Sequence, residues 1–183
     1  MRDSRFGPLL FGWLTEGRDQ SGWTDGWAGV ISLPRVVWLG EDISLRSAPI
    51  PTVDTLRTGS GSAADGVSTG PRCEIVVPEG TGRVVVHFDD HERLEVELDA
   101  AAGTLTINRS EAGLDPQAHD GLMQATHAFD QASSRPAARI FIDGSVVEVF
   151  TSAGRALSTR IYPPPPPWRI EAPPNAHHWP LAP

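Results

Sequence analysis

No stretch of this sequence sustains apolar residues at the i, i+3, i+4, i+7 spacing of a helix face, whereas alternation with period two recurs along it. That feature confines the chain to a fold built from strands. Residues 93–98 are the clearest case. Leu94, Val96 and Leu98 fall on one face and Arg93, Glu95 and Glu97 on the other, the pattern of a strand with one side in a core and one in water. The runs are short because 18 Gly and 17 Pro punctuate the 183 residues. Residues 83–88, 93–98 and 104–108 follow one another across turns at 89–92 and 100–103, which predicts a meander. Farther on, 138–142 and 145–150 flank Asp143-Gly144, the chemistry of a two-residue type I′ hairpin, and residues 156–162 follow a second turn at 152–155. At least six strands spaced in this way predict an all-β fold, a two-sheet antiparallel β-sandwich.

The flanking segments are read differently. Residues 9–14 and 30–33 are apolar runs around the polar, Gly-rich stretch 15–26, and predict antiparallel strands joined by a long loop. Pro34-Arg35 breaks the second strand and 36–39 resumes extended. Residues 59–70 are Gly, Ser, Ala and Asp with almost nothing to bury, and read as a loop. Residues 110–136 are irregular, with a short helical turn expected near 117–128. The five prolines 163–167 end the sheet, because proline cannot donate to a ladder. They predict a stiff spacer of roughly 15 Å, after which 168–183 is expected on the surface. The chain thus divides into 1–50, 51–163 and a Pro-rich tail, 164–183.

Charge narrows the function classes. Twenty-three Asp and Glu face fifteen Arg and no Lys, a net charge of −8. Nucleic acid and anionic membrane both demand a basic patch, so neither is an expected partner. No apolar run approaches the ~20 residues that span a bilayer, and residues 1–10 lack the apolar core of a secretion signal. The one cysteine, Cys73, excludes an internal disulfide and a cysteine-based zinc cluster. These features favour a cytoplasmic protein.

Several motifs invite chemistry and are answered by their context. Gly66-Val67-Ser68-Thr69-Gly70 matches the spacing of a nucleophile elbow, but that device needs a buried strand before the Ser and a helix after it. Here a Gly/Ser loop and Pro71 flank Ser68. Glu95 and Glu97 stand about 7 Å apart on one strand face, within the range of paired glycosidase carboxylates, yet that face is simply the polar one. Asp89, Asp90 and Glu92 read as turn residues. His177-His178 and the pair His87 and His91 each lack a third ligand at useful spacing, so no metal is expected. The six tryptophans, Trp13, Trp23, Trp27, Trp38, Trp168 and Trp179, are large apolar bodies with one N–H, suited to core packing or to stacking on a sugar ring. A carbohydrate is accordingly a possible partner.

Two separated stretches carry a resemblance. The first is Phe11-Gly12-Trp13-Leu14 with Gly26-Trp27-Ala28-Gly29-Val30-Ile31-Ser32-Leu33-Pro34-Arg35. The second is Phe141-Ile142-Asp143-Gly144-Ser145-Val146-Val147-Glu148-Val149-Phe150 with Thr159-Arg160-Ile161-Tyr162-Pro163. Leu56-Arg57 and Leu105-Thr106-Ile107-Asn108-Arg109 lie between them in the expected order. Together, over about residues 9–163, they resemble the C-terminal part of glycoside hydrolase family 32, the β-fructofuranosidases. The resemblance implies a β-sandwich from about 51 to 163, preceded in 1–50 by the last strands of a β-propeller blade and a crossing segment. It implies hydrolysis of terminal β-fructofuranosides, such as sucrose or fructans, by a retaining mechanism without metal or other cofactor. The family's catalytic Asp, Asp and Glu belong to propeller motifs of the types Asn-Asp-Pro-Asn, Arg-Asp-Pro and Glu-Cys. None is present: Arg2-Asp3 precedes Ser4, Arg18-Asp19 precedes Gln20, and Cys73 comes before Glu74. No residue is therefore assigned a catalytic role, none a substrate-binding role, and the chain alone is expected to be inactive. A stand-alone carbohydrate-binding module is the alternative. An upstream propeller chain or a second copy, paired through open strand edges, is a further expected partner.

Overall fold

The computed structural model describes residues 5–18, 28–113, 115 and 117–183. The chain opens with β1 (Leu9–Leu10), β2 (Trp13–Leu14), β3 (Val30–Ile31), β4 (Arg35–Leu39) and β5 (Leu45–Pro49), followed by a 3-10 turn at Pro51–Leu56. Next come β6 (Ser62–Ala63), β7 (Ser68–Thr69), β8 (Arg72–Val77), β9 (Thr81–His87), β10 (Arg93–Asp99) and β11 (Thr104–Glu111). The chain closes with β12 (Leu122–Thr126), β13 (Ala138–Asp143), β14 (Val146–Thr151), β15 (Ala156–Arg160), β16 (Trp168–Glu171) and β17 (His177–Pro180).

Two six-stranded antiparallel sheets face each other. Sheet I runs β12-β11-β10-β9-β16-β7 and sheet II runs β15-β14-β13-β8-β17-β6. Period-two alternation turns Val84, Val86, Leu94, Val96, Leu98, Leu105 and Ile107 of sheet I toward Cys73, Ile75, Val77, Ile140, Ile142, Val147 and Val149 of sheet II, forming one core. The expected sandwich and its meander β9-β10-β11 are therefore present. The outer face of sheet I is wet and charged: Arg83, Arg93, Glu95, Glu111 and Glu171 pair across its strands. Sheet II is covered a second time. Val53, Phe141 and Phe150 form a small outer core with Leu33, Ile50, Leu56, Ala156 and Leu181, so β14 is apolar at both parities.

The tail corrects the sequence reading. Residues 168–183 are not a surface appendage but part of the sandwich: β16 inserts beside β9 in sheet I and β17 beside β8 in sheet II. Trp168 is buried edge-to-face against Phe88, centroids 5.1 Å apart, and its indole N–H donates to the Pro164 carbonyl. Burial of Trp168, Ile170 and Ala176 supplies the stabilisation that a four-residue strand lacks by itself. Residues 59–70 likewise pair as β6 and β7, bury Ala64 and Thr69, and extend both sheets. The turn expected near 117–128 contains strand β12, with no helix among its described residues. The hairpin turn falls on Gly144-Ser145, one residue later than expected, because Asp143 pairs with Val146. Gly144, at φ 57, takes the first central position, as a type II′ turn requires.

Candidate functional site

Among the described residues, those of the two separated motifs converge on a seam where residues 9–18 and 28–57 meet sheet II. Three buried carboxylates anchor it. Glu148, from the middle of β14, accepts from the Leu33 N–H (2.6 Å), from the Ser158 hydroxyl (3.2 Å) and from the Arg35 guanidinium. Arg35 also lies over the Phe150 ring at 4.9 Å. Burial pushes the Glu148 carboxyl above its ordinary value, against the pull of Leu33, Arg35 and Ser158. Glu74, on β8, is fully buried and accepts from Arg57 Nε (2.7 Å), Arg57 Nη2 (3.1 Å) and Arg139 Nε (2.6 Å). Its hydrogen bond raises the Arg57 pKa further, against the effect of burial. Arg139 reaches on to Asp54, which ties the 3-10 turn to the sheet.

Glu16 is the third anchor. The Tyr162 hydroxyl donates to it at 2.7 Å and in turn accepts from the Gly17 N–H at 2.9 Å. The Gly29 N–H (2.8 Å) and Arg160 (3.2 Å) complete its contacts, with Arg18 at 3.6 Å. Burial alone raises its pKa, but Tyr162, Gly29, Arg160 and Arg18 outweigh that and hold it below its ordinary value. Tyr162 moves the opposite way, raised by burial and by the Glu16 carboxylate. Gly29 has φ 72, and a Cβ there would meet Trp13 Nε1 at 2.2 Å, so this close approach needs glycine. Gly12 and Ser32 exchange two further bonds, Gly12 N–H to Ser32 Oγ and Ser32 N–H to the Gly12 carbonyl.

A cavity of about 460 Å³ opens at this seam, between Gly12–Gly17 on one wall and Arg35, Arg109, His119, Ser158, Thr159 and Arg160 on the other. Trp13 stands at its rim, 67% exposed. The remaining sequence candidates lie elsewhere. Ser68 is on the exposed side of β7. Glu95 is held by Arg93 at 2.8 Å, and Glu97 faces water. His87 meets Glu171 at 3.2 Å, and Asp89 caps its own turn by accepting from the His91 and Glu92 N–H groups. His177 and His178 point to opposite faces of β17. His177 packs on Trp179, while His178 is buried against the Thr69 hydroxyl at 2.9 Å. No group of three metal-ligating side chains occurs among the described residues. Trp38 carries Arg135 at 4.4 Å and Trp179 carries Arg57 at 4.2 Å. Trp23 and Trp27 lie outside the described residues.

Known proteins share this fold. The model for the C-terminal domain of glycosyl hydrolases family 32 matches residues 52–176. The chain belongs to family 32. Its fold superposes on the Bombyx mori family 32 β-fructofuranosidase with a TM-score of 0.71, at 21% identity, over 95% of this chain and 38% of that one. Fructan 1-exohydrolase IIa from Cichorium intybus, solved with 1-kestose, gives 0.70 at 15% identity over 95% and 45%. The Schwanniomyces occidentalis β-fructofuranosidase gives 0.63 at 13% identity over 99% and 46%. The chain thus spans less than half the length of these solved relatives. The sequence matches none of the curated proteins.

Sequence reasoning assigned no role to Glu16, Glu74, Glu148 or Tyr162, although the last two stand inside the family 32 motifs. A signal was present for two of them. Glu148 and Glu74 are single charges inside runs apolar at both parities, Val146–Phe150 and Cys73–Val77, and a charge in such a run must be paired to be buried.

Proposed function

We propose that this chain serves as the C-terminal, non-catalytic part of a retaining family 32 enzyme that hydrolyses terminal β-fructofuranosides, the nucleophile and acid/base belonging to a propeller. The reading is carried by one observation: the residues that resemble the family's motifs meet in a single seam, joining blade-like strands to sheet II through Glu16 and Glu148. Retaining hydrolysis needs two carboxyl groups roughly 5 Å apart sharing a sugar. The buried carboxylates of this chain are instead each engaged separately by arginine. The 183-residue chain is expected to release no fructose from sucrose or inulin above a protein-free blank. Robust turnover overturns the proposal.

Exposure of Trp13 at the rim of the cavity favours one addition, contact with the carbohydrate. Binding of 1-kestose by the solved Cichorium relative supports the same class of ligand. Titration with sucrose and inulin, followed by Trp fluorescence, should saturate, and Trp13→Ala should abolish the signal. A flat titration leaves the structural role alone.

A further inference from the structure

We propose that the seam cavity holds a small phosphate-type oxyanion on Arg109. Local charge marks this site independently of the family assignment and of sugar contact at Trp13. The chain is strongly acidic, yet the wall of this cavity carries Arg35, Arg109 and Arg160 against one carboxylate, Glu16. Two of these guanidinium groups are matched inside the protein, Arg35 by Glu148 and Arg160 by Glu16. Arg109 has no carboxylate within ion-pair distance among the described residues. Among the described residues, its side chain bonds from Nη1 to the Thr159 hydroxyl at 2.6 Å, and its buried Nε has no hydrogen-bond partner there.

The base of the side chain is fixed. The Arg109 N–H bonds the Gly121 carbonyl and its own carbonyl accepts from Ala112 N–H, which fixes the backbone near the end of β11, while the bond from Nη1 to Thr159 orients the guanidinium. A planar guanidinium fork matches two oxygens of a phosphate or sulfate. The Ser32, Ser158 and Thr159 hydroxyls on the same walls already donate to the Leu33 carbonyl, Glu148 and the Arg160 carbonyl, so the guanidinium is the donor group for such a ligand. Partial enclosure strengthens the attraction relative to open water. The space, about 460 Å³, admits a free oxyanion with its waters or a phosphate monoester of a small polyol.

Calorimetry of the full chain with inorganic phosphate at low ionic strength, with sulfate in parallel, tests this. Saturable binding that weakens with added salt is expected, and Arg109→Gln should lower the affinity about tenfold or more. Arg169→Gln, on a solvent-facing side of β16 in sheet I, should leave it unchanged. Arg109→Lys keeps the charge without the fork and should bind at an intermediate level, provided its circular dichroism matches the wild type. Amide resonances of Arg109, Ser158 and Thr159 should shift on titration of the unaltered protein, a readout that survives if the variants fold poorly. No saturable binding, equal binding by a folded Arg109→Gln, or shifts confined to other residues overturns the proposal. A hexose monophosphate that binds more tightly than phosphate, and quenches Trp fluorescence, identifies an ester as the ligand. Equal affinity identifies the free oxyanion.

Discussion

The two sheets of the sandwich are built from the same kinds of residue, yet they meet different environments on their outer sides. β10 of sheet I alternates strictly, and its outer residues Arg93, Glu95 and Glu97 lie against water or other charges. β14 of sheet II is apolar at both parities except at Glu148, and its outer side is covered by residues 33–57 and by Leu181. The same residue type therefore has two meanings. A glutamate on sheet I solvates a surface; a glutamate on sheet II fastens a second layer. The difference lies in what covers the face, since an ion pair in water is worth little while removal of one partner from a buried pair leaves an uncompensated charge.

The sharpest way to break this comparison is Glu148→Ala, which strands Arg35 and the Leu33 N–H. A loss of about 3–5 kcal/mol is expected in urea unfolding. The double variant Glu148→Leu with Arg35→Met should recover much of it, because two apolar side chains leave no unpaired charge; no recovery would show that the segment depends on the ion pair itself. Tyr162→Phe comes next. It removes the donor to Glu16 and the acceptor of Gly17 N–H, and about 1–3 kcal/mol should be lost.

A smaller effect is expected from His178, which joins the sheets through Thr69. Burial lowers its pKa below 6.5, so folded His178 stays neutral while the unfolded chain takes up a proton. Its contribution to stability is complete above that value and falls as pH drops below it. Thermal melts between about pH 7 and about pH 5 should therefore slope less steeply in His178→Gln than in the wild type. Equal slopes would remove His178 from the acid sensitivity of the fold. Glu97→Gln, on the wet side of sheet I, should leave Tm unchanged within about 1 °C. A larger shift would mean that the two outer faces are less different than their burial implies.

Much of the fold was legible because strands β9, β10, β11, β13 and β14 are long enough for alternation to register, and their order already indicated a sandwich. β6 and β7 were not legible. Two residues carry no period, and both strands exist because β17 and β16 arrive from the far end of the chain to pair with them. The tail was misread for a related reason: proline ends a ladder locally, but nothing local says that the chain re-enters both sheets beyond residue 167. The seam was half legible. Its motif residues were visible as a pattern, while the partners of Glu16 and Glu74 lie on separate elements.

The sequence by itself determined the class of structure, the core face of the longer strands and the family motifs, because each depends on neighbours a few positions apart. Tertiary structure decided which strands are buried twice, where the last sixteen residues go, and that Arg109 lines a cavity with no carboxylate at ion-pair distance among the described residues, while Arg35 and Arg160 are matched. Burial and charge pairing are properties of three-dimensional neighbourhoods. Glu97 and Glu148 are the same residue type on strands of similar length, and only the layer above them tells them apart.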